Sequence, residues 1–345
     1  MDLTSHAPPA RRWPATLLRI GLRVALPLLA AWGVLALAYR GPEPVVVRGV
    51  LVLAWSAACL APLSSRAPRW SRWPAVVAIL AMLAWWHSLT PSHDRDWSDD
   101  VARLLTAEID GDRVVLHNVR DFQWRSEQDY DVRWETRTYD LDQLVSADLV
   151  LSYWMGPAIA HTLVSFGFAD GRQLVFSLEI RKERGEAFSS IAGFFKEYET
   201  VIVAADEYDI LRTRTNARGE DVYLYRLDLD QAQLRRAFLG YLQRTERIRR
   251  QPRFYNTLTS NCTTIVFELA RSLDPGLPLD HRLLLSGWFA EYAFDHDGLV
   301  AGYDYPTLQA RGRITERARA YEGPAAGFPA AIRRDVPGIP ATDAP

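Results

Sequence analysis

Cysteine and lysine are nearly absent from this chain: its 345 residues hold two of each, Cys59, Cys262, Lys182 and Lys196. Cys59 falls inside an apolar run and Cys262 in the polar body, so the two cannot share a disulfide, and Cys262 stands as a lone thiol. Acidic residues are missing from the head. Before Asp94 only Asp2 and Glu43 face nine Arg, a net of +7, whereas the remainder sets 31 basic against 40 acidic residues, a net of −9. A basic, apolar head and a mildly acidic body read as a membrane anchor and a polar domain. Also lacking are a Walker loop, a dinucleotide fingerprint, a serine-nucleophile elbow and histidines at metal-ligand spacing. No metal or cofactor is therefore expected. Basic residues are not clustered among aromatics, which argues against nucleic acid as a partner.

Long apolar runs account for the head, at about 20–39, 45–63 and 74–90. Each approaches the roughly 20 residues that span a bilayer, so residues 1–92 are expected to be an anchor of three transmembrane helices. Arg11, Arg12, Arg19 and Arg23 precede the first run, and Arg66, Arg69 and Arg72 fill the loop after the second. The positive-inside rule puts both groups in the cytoplasm. Three crossings from an inside N-terminus then deliver everything after about Thr90 to the far side, the periplasm for a protein of the bacterial inner membrane.

From 93 to 322 strand and helix signals alternate in one α+β domain with an antiparallel-leaning sheet. Strands are expected at 113–119, 133–141, 147–154, 159–168, 173–181, 200–205, 208–214 and 221–228, and helices at 187–198, 230–249 and 262–273. The tail, 323–345, rich in Pro, Ala and Gly, reads as disordered.

Within "YNTLTSNCTTIVFELAR" (255–271), Ser260 or Asn261 is a helix cap, and Ile265, Leu269 and Leu273 repeat at helical spacing. Cys262 thus opens a helix, where free backbone N–H groups and the positive end of the dipole favour thiolate. A basic partner must come from His93, His117, His161, His281 or His296. His161 lies in "GPAIAHTLVSFGFADGRQLVFSLEIR", where Ala169-Asp170-Gly171 suits a three-residue hairpin loop. That loop pairs Phe168 with Arg172 and, counting back, His161 with Glu179. It also collects Val164, Phe166, Phe168, Leu174, Phe176, Leu178 and Ile180 on one apolar face, and His161, Ser165, Ser177 and Glu179 on the other. A Cys262, His161, Glu179 set follows, with Tyr255, Asn256 or Asn261 as oxyanion donors. The bland alternative is a packed thiol and an exposed cross-strand His–Glu pair.

The segments "HDRDW" (93–97), "AEIDGDRVVLHNVRDFQWR" (107–125), "SYWMGPAIAHTLVSFGF" (152–168), "EIRKERGEAFS" (179–189), "RTNARGEDVYLYRL" (214–227) and "RFYNTLTSNCTT" (253–264) resemble the Lnb N-terminal periplasmic domain family, also called DUF4105. The resemblance implies lipoprotein intramolecular transacylation, with a thiol nucleophile at Cys262 and its base at His161. Glu179 is not implied by it and rests on the register alone. The order of His on a strand and Cys opening a later helix is similar to circularly permuted NlpC/P60 papain-like thiol enzymes, by analogy of architecture. The expected function is a membrane-anchored, cysteine-dependent acyltransferase or acyl hydrolase acting on a lipid or lipoprotein through a thioester. A periplasmic peptidase or amidase cutting cell-wall peptides, or a tethered scaffold without catalysis, are the alternatives. Acyl chemistry calls for a cleft with an apolar wall beside the thiol.

Overall fold

The computed structural model describes residues 13–64 and 68–340. The chain falls into two units, Met1–Thr90 with Phe195–Glu197, and Pro91–Phe194 with Tyr198–Pro345. Arg11, Arg12 and Arg66, which enter the orientation argument, lie outside the described residues, as do residues 341–345 of the tail.

The first unit contains helices α1 (Trp13–Arg40), α2 (Val45–Leu60) and α3 (Arg72–Ser88). Gly33 lets α1 and α2 approach closely, since a Cβ there would collide with the indole of Trp55, whose Nε1 donates to Ala30 O at 3.0 Å. Arg48 donates to Ala38 O at 3.0 Å and Pro42 O at 3.1 Å, satisfying carbonyls at and just beyond the end of α1. Among the described residues two stretches are long and apolar enough to cross a membrane, Ile20–Arg40 and Val45–Leu63, where the sequence suggests three. The missing one is α3, whose apolar stretch is bounded by Arg72, Trp73 and Pro74 at one end and by Trp85, Trp86 and His87 at the other. With two crossings the parity argument no longer decides on which side the second unit lies.

The second unit is α+β. Its strands are β1 (Thr106–Asp110), β2 (Arg113–Arg120), β3 (Gln123–Trp124), β4 (Tyr130–Asp131), β5 (Trp134–Asp140), β6 (Leu144–Tyr153), β7 (Ala160–Phe168), β8 (Gln173–Arg181), β9 (Glu199–Ala205) and β10 (Asp221–Arg226). Its helices are α4 (Glu207–Arg212), α5 (Gln231–Arg250), α6 (Cys262–Leu273), α7 (Phe289–Asp295), α8 (Tyr305–Gly312), α9 (Thr315–Arg319) and α10 (Phe328–Ile332). The main sheet runs β1-β2-β9-β8-β7-β6-β10 with β5 on β2. It is mixed: β2 meets β9 in parallel, and the other ladders are antiparallel.

Both faces of the sheet are buried. Val164, Phe166 and Phe168 of β7 and Leu174, Phe176 and Leu178 of β8 pack under Leu234, Phe238, Tyr241 and Leu242 of α5 and Ile265 and Leu269 of α6. On the opposite face Leu163 and Val175 meet Ile210, Leu211, Ile314, Ala318, Phe328 and Ile332. That second layer corrects the sequence reading of three segments. Residues 208–214, expected as a strand, form α4 and a π-turn at Thr213–Ala217, because Ile210 and Leu211 must both face the sheet and consecutive strand residues cannot. Residues 187–198, expected as a helix, hold a single 3-10 turn at Ala192–Phe194; Ser189, Ser190 and Gly193 are weak helix formers, and Gly193 lies against the ring of Tyr255 and Thr257 Oγ1, with no room for a Cβ.

The third correction is the tail. Up to residue 340 it is ordered, with α10 and a buried Val336 closing the second face. Its Pro and Ala content hid Arg333, which is buried against Asp148 (2.8 Å) and Glu207 (2.5 Å). Removing one partner of such a pair leaves buried charge unpaired, so Arg333→Ala is expected to cost about 3–5 kcal/mol. Urea unfolding of the full chain in detergent reads this as a lower midpoint with an unchanged slope; a midpoint equal to wild type would mean the tail is not part of the fold's cohesion.

Candidate active site

Cys262 is the first residue of α6. Asn261 caps the helix, its Oδ1 accepting from Thr264 N at 2.9 Å while Thr264 Oγ1 accepts from Asn261 N at 2.9 Å. The helix start is pinned to β7 by Thr162 Oγ1 and Thr263 Oγ1, 2.9 Å apart, and Thr162 N–H donates to Cys262 Sγ at 3.5 Å. The sulfur is therefore held at the end of the sheet, 7% exposed.

The β7–β8 hairpin supplies the partner. Gly171 takes φ +85°, Phe168 N donates to Arg172 O at 3.0 Å, and the ladder runs from Gly167↔Gln173 to Leu163↔Ser177. Continued by two residues, this register sets His161 opposite Glu179, as the three-residue loop requires. The ladder stops before that pair, so the imidazole stands where the two strands have parted. His161 Nε2 lies 2.7 Å from Ser177 Oγ and 3.3 Å from Glu179 Oε1. Ser177 Oγ donates to that same Oε1 at 2.7 Å, so its lone pairs are turned to accept from the ring. The ring also lies close enough to the Cys262 thiol for each to shift the other's charge.

The electrostatics follow from this geometry. Burial opposes a charged Cys262, but the adjacent imidazolium and the Thr162 N–H outweigh it and draw the thiol below its ordinary value. Burial and the Arg214 guanidinium press His161 toward neutrality. The Glu179 carboxylate and the sulfur win, pushing the ring up to about 9. Burial would raise Glu179, yet His161 and Arg214 hold it well below the usual carboxylate range. The two charges therefore favour one another, the imidazolium lowering the thiol and the sulfur raising the ring.

The other histidines lie elsewhere. His93 is bound between Ile248 O (2.8 Å) and Arg181 Nη1 (3.0 Å), His117 pairs with Glu108 and Thr136 on the sheet edge, His281 sits by Asp280, and His296 stacks on Tyr292. Of the three oxyanion candidates, two have side chains already engaged. Asn261 holds the cap and donates through Nδ2 to Thr257 O at 2.7 Å, and Asn256 Oδ1 accepts from Leu258 N and Thr259 N at 3.0 Å. Tyr255 does face the site: burial and the nearby Cys262 and Glu179 charges push its phenol well above its ordinary range. Sequence reasoning placed Ser177 on the right face but without a role, and it assigned nothing to Arg214. Arg214 is buried, with Nη2 on Glu179 Oε1 at 2.9 Å and Nη1 on Glu220 Oε2 at 3.3 Å. Nothing in "RTRTNARGED" distinguishes it from its exposed neighbours.

The apolar cleft expected beside the thiol is not where the concavities near α6 lie. One of about 360 Å³ is lined by polar residues including Arg244, Arg253, Asn256 and Asn261, and one of about 740 Å³ by Phe267, Leu279, Leu283 and Leu284; neither is lined by Cys262 or His161.

Residues 130–287 match the family model described as the Lnb N-terminal periplasmic domain. The matched stretch, less than half of the chain, contains every residue of the site, from His161 to Cys262. No curated protein and no solved structure matches the chain, so the likeness to papain-like thiol enzymes remains an analogy of chain order. The Lnb description names a periplasmic domain, and the two apolar helices suit a membrane anchor.

The charge arrangement has a direct readout. Iodoacetamide should alkylate Cys262 faster at pH 7 than an ordinary thiol with a pKa of about 8.5, because the adjacent imidazolium draws its midpoint down. In His161→Ala the midpoint should move above about 8.5, because burial then acts unopposed. Identical pH profiles for the two proteins would remove the ion pair from the site.

Proposed function

We propose that this protein is a membrane-anchored thiol acyltransferase or acyl hydrolase that carries an acyl group from a lipid or lipoprotein as a thioester on Cys262. The observation that carries the reading is the buried Cys262 at a helix N-terminus, close enough to the His161 ring for each to shift the other's charge, with that ring itself backed by Ser177 and Glu179. A scaffold domain has no use for a depressed thiol beside an elevated imidazole.

In the first half-reaction the thiolate attacks the ester carbonyl carbon. The C–S bond forms, the C–O bond breaks, and a proton of the His161 imidazolium passes to the departing alkoxide. In the second, an amine or water attacks the thioester, His161 takes its proton, and the thiolate leaves. An amine acceptor gives transacylation and water gives hydrolysis. The capping box engages Thr264 N–H but not the N–H of Cys262, which would serve the tetrahedral oxyanion together with the Tyr255 hydroxyl.

Support for an apolar substrate comes from the loops around the site. Trp154 and Met155 follow Ser152, whose register partner is His161. Trp154 meets Phe188 edge to face at 4.9 Å, and Thr257 Oγ1 ties the following loop to Ser190 O at 3.0 Å. Met155, Phe188, Ile191 and Leu258 are about half exposed, an apolar rim that a cell-wall peptide would not require. The match of residues 130–287 to a family described as a periplasmic domain supports an exported site.

Incubating the full chain with a diacylated lipopeptide and recording intact mass should reveal an acyl adduct that Cys262→Ala lacks. The same protein offered muropeptides should release nothing; stem cleavage without change to the lipopeptide would replace this reading with a peptidase.

A further inference from the structure

Behind Glu179 the structure continues in a way that the thiol chemistry alone does not call for. Arg214 lies in the π-turn Thr213–Ala217, an irregularity that recurs at functional sites because it re-aims a side chain. The turn is fixed from several directions. Thr213 Oγ1 donates to Asp209 O at 2.6 Å, Arg319 of α9 donates to Thr215 O at 2.9 Å and Gly219 O at 3.1 Å, and Glu220 N returns to Arg214 O at 2.9 Å. The guanidinium is 4% exposed as a residue, and its Nε is buried with no hydrogen-bond partner among the described residues. Two carboxylates hold it: Glu179 in front and Glu220 behind. Glu220 is in turn reached by Ser152 Oγ, from the β6 residue paired with His161, and by Arg218 at 3.8 Å.

We infer that Arg214 is a positioning residue of the active site, clamped by Glu220 so that it fixes the Glu179 carboxylate toward Ser177 and the His161 ring. The inference rests on the reading of Cys262 and His161 as nucleophile and base. Its physical content is that Glu179 Oε1 serves three donors at once, Ser177 Oγ, Arg214 Nη2 and the His161 ring, and a carboxylate so shared must be anchored from outside the pair. Arg suits this because its planar fork bridges two carboxylates, which a lysine ammonium on a flexible stem does not reproduce. It also balances the cluster's charge. The groups that face the pair are Thr162 on β7, Ser177 and Glu179 on β8, Tyr255 ahead of α6, Tyr241 on α5, and Arg214 with Glu220 behind it. Taking the one cation out of that second rank makes every acid in the cluster hold its proton more tightly, the thiol included.

The test is the pH dependence of iodoacetamide alkylation of Cys262 in the full chain in detergent, beside thermal melting and turnover. Arg214→Met should raise the midpoint for thiolate formation by about one pH unit, so that alkylation on the acid side is roughly tenfold slower. Arg214→Lys should return the midpoint to the wild-type position while turnover stays at least about tenfold lower, since charge is restored and geometry is not. Glu220→Gln, which removes an anion, should move the midpoint downward. A lowered melting temperature with the wild-type midpoint in Arg214→Met would make the residue a structural ion pair and overturn the proposal. Should that variant fail to fold, an unmoved midpoint in Glu220→Gln does the same. Alkylation reads the thiolate without any substrate, so absence of an acyl adduct on the wild-type protein would sink the acyl-transfer reading and leave this result standing.

Discussion

A thiolate buried at the end of a sheet persists only while a cation stands against it, and in this domain that cation is His161. Its charge in turn needs an anion, Glu179, and that anion is shared with Arg214, which leans on Glu220. The result is a line of alternating charge from α6 through β7 and β8 to the π-turn and the residue before β10. Cys262 and Arg214 are buried and His161, Glu179 and Glu220 half-buried, and desolvation opposes the charge on Cys262, His161 and Glu179. Each member of the line has an opposite charge beside it, which offsets that cost.

The fold serves this line by burying both faces of one sheet. α5 and α6 cover the face of Phe166 and Phe176, and α6 arrives with its N-terminus at the end of β7, where the Thr162–Thr263 contact stops it. The opposite face is closed by α4, α9 and the segment through Val336, with Arg333 locking it to Asp148 and Glu207. The chemistry sits at the rim between these layers, where β7 and β8 cease to pair. A ladder continued for two more residues would occupy the space that the imidazole uses.

The first unit shows the opposite balance. Its helices are apolar over most of their exposed surface, and the close contact of Gly33 with Trp55 accounts for how α1 and α2 pack. Two of its runs are long and apolar enough to cross a membrane, whereas α3 is bounded by Arg72, Trp73 and Pro74 and by Trp85, Trp86 and His87.

The sequence by itself determined the pairing of His161 with Glu179 and the place of Cys262. Both depend on local rules: loop length sets hairpin register, and a capping residue followed by apolar residues at helical spacing sets a helix start. It also determined α5, whose Leu234, Phe238, Leu242 and Ile248 form one buried stripe. Local rules failed where the second face of the sheet was at stake. Residues 208–214 and the tail carry strand-like and disorder-like composition, and their conformation is set by what they cover. Ser177 and Arg214 entered the site only through the tertiary structure. A serine between two functional residues on one strand face is ordinary, and an arginine in a charged run looks solvated until the π-turn folds it beneath β8, where two carboxylates make its burial tolerable.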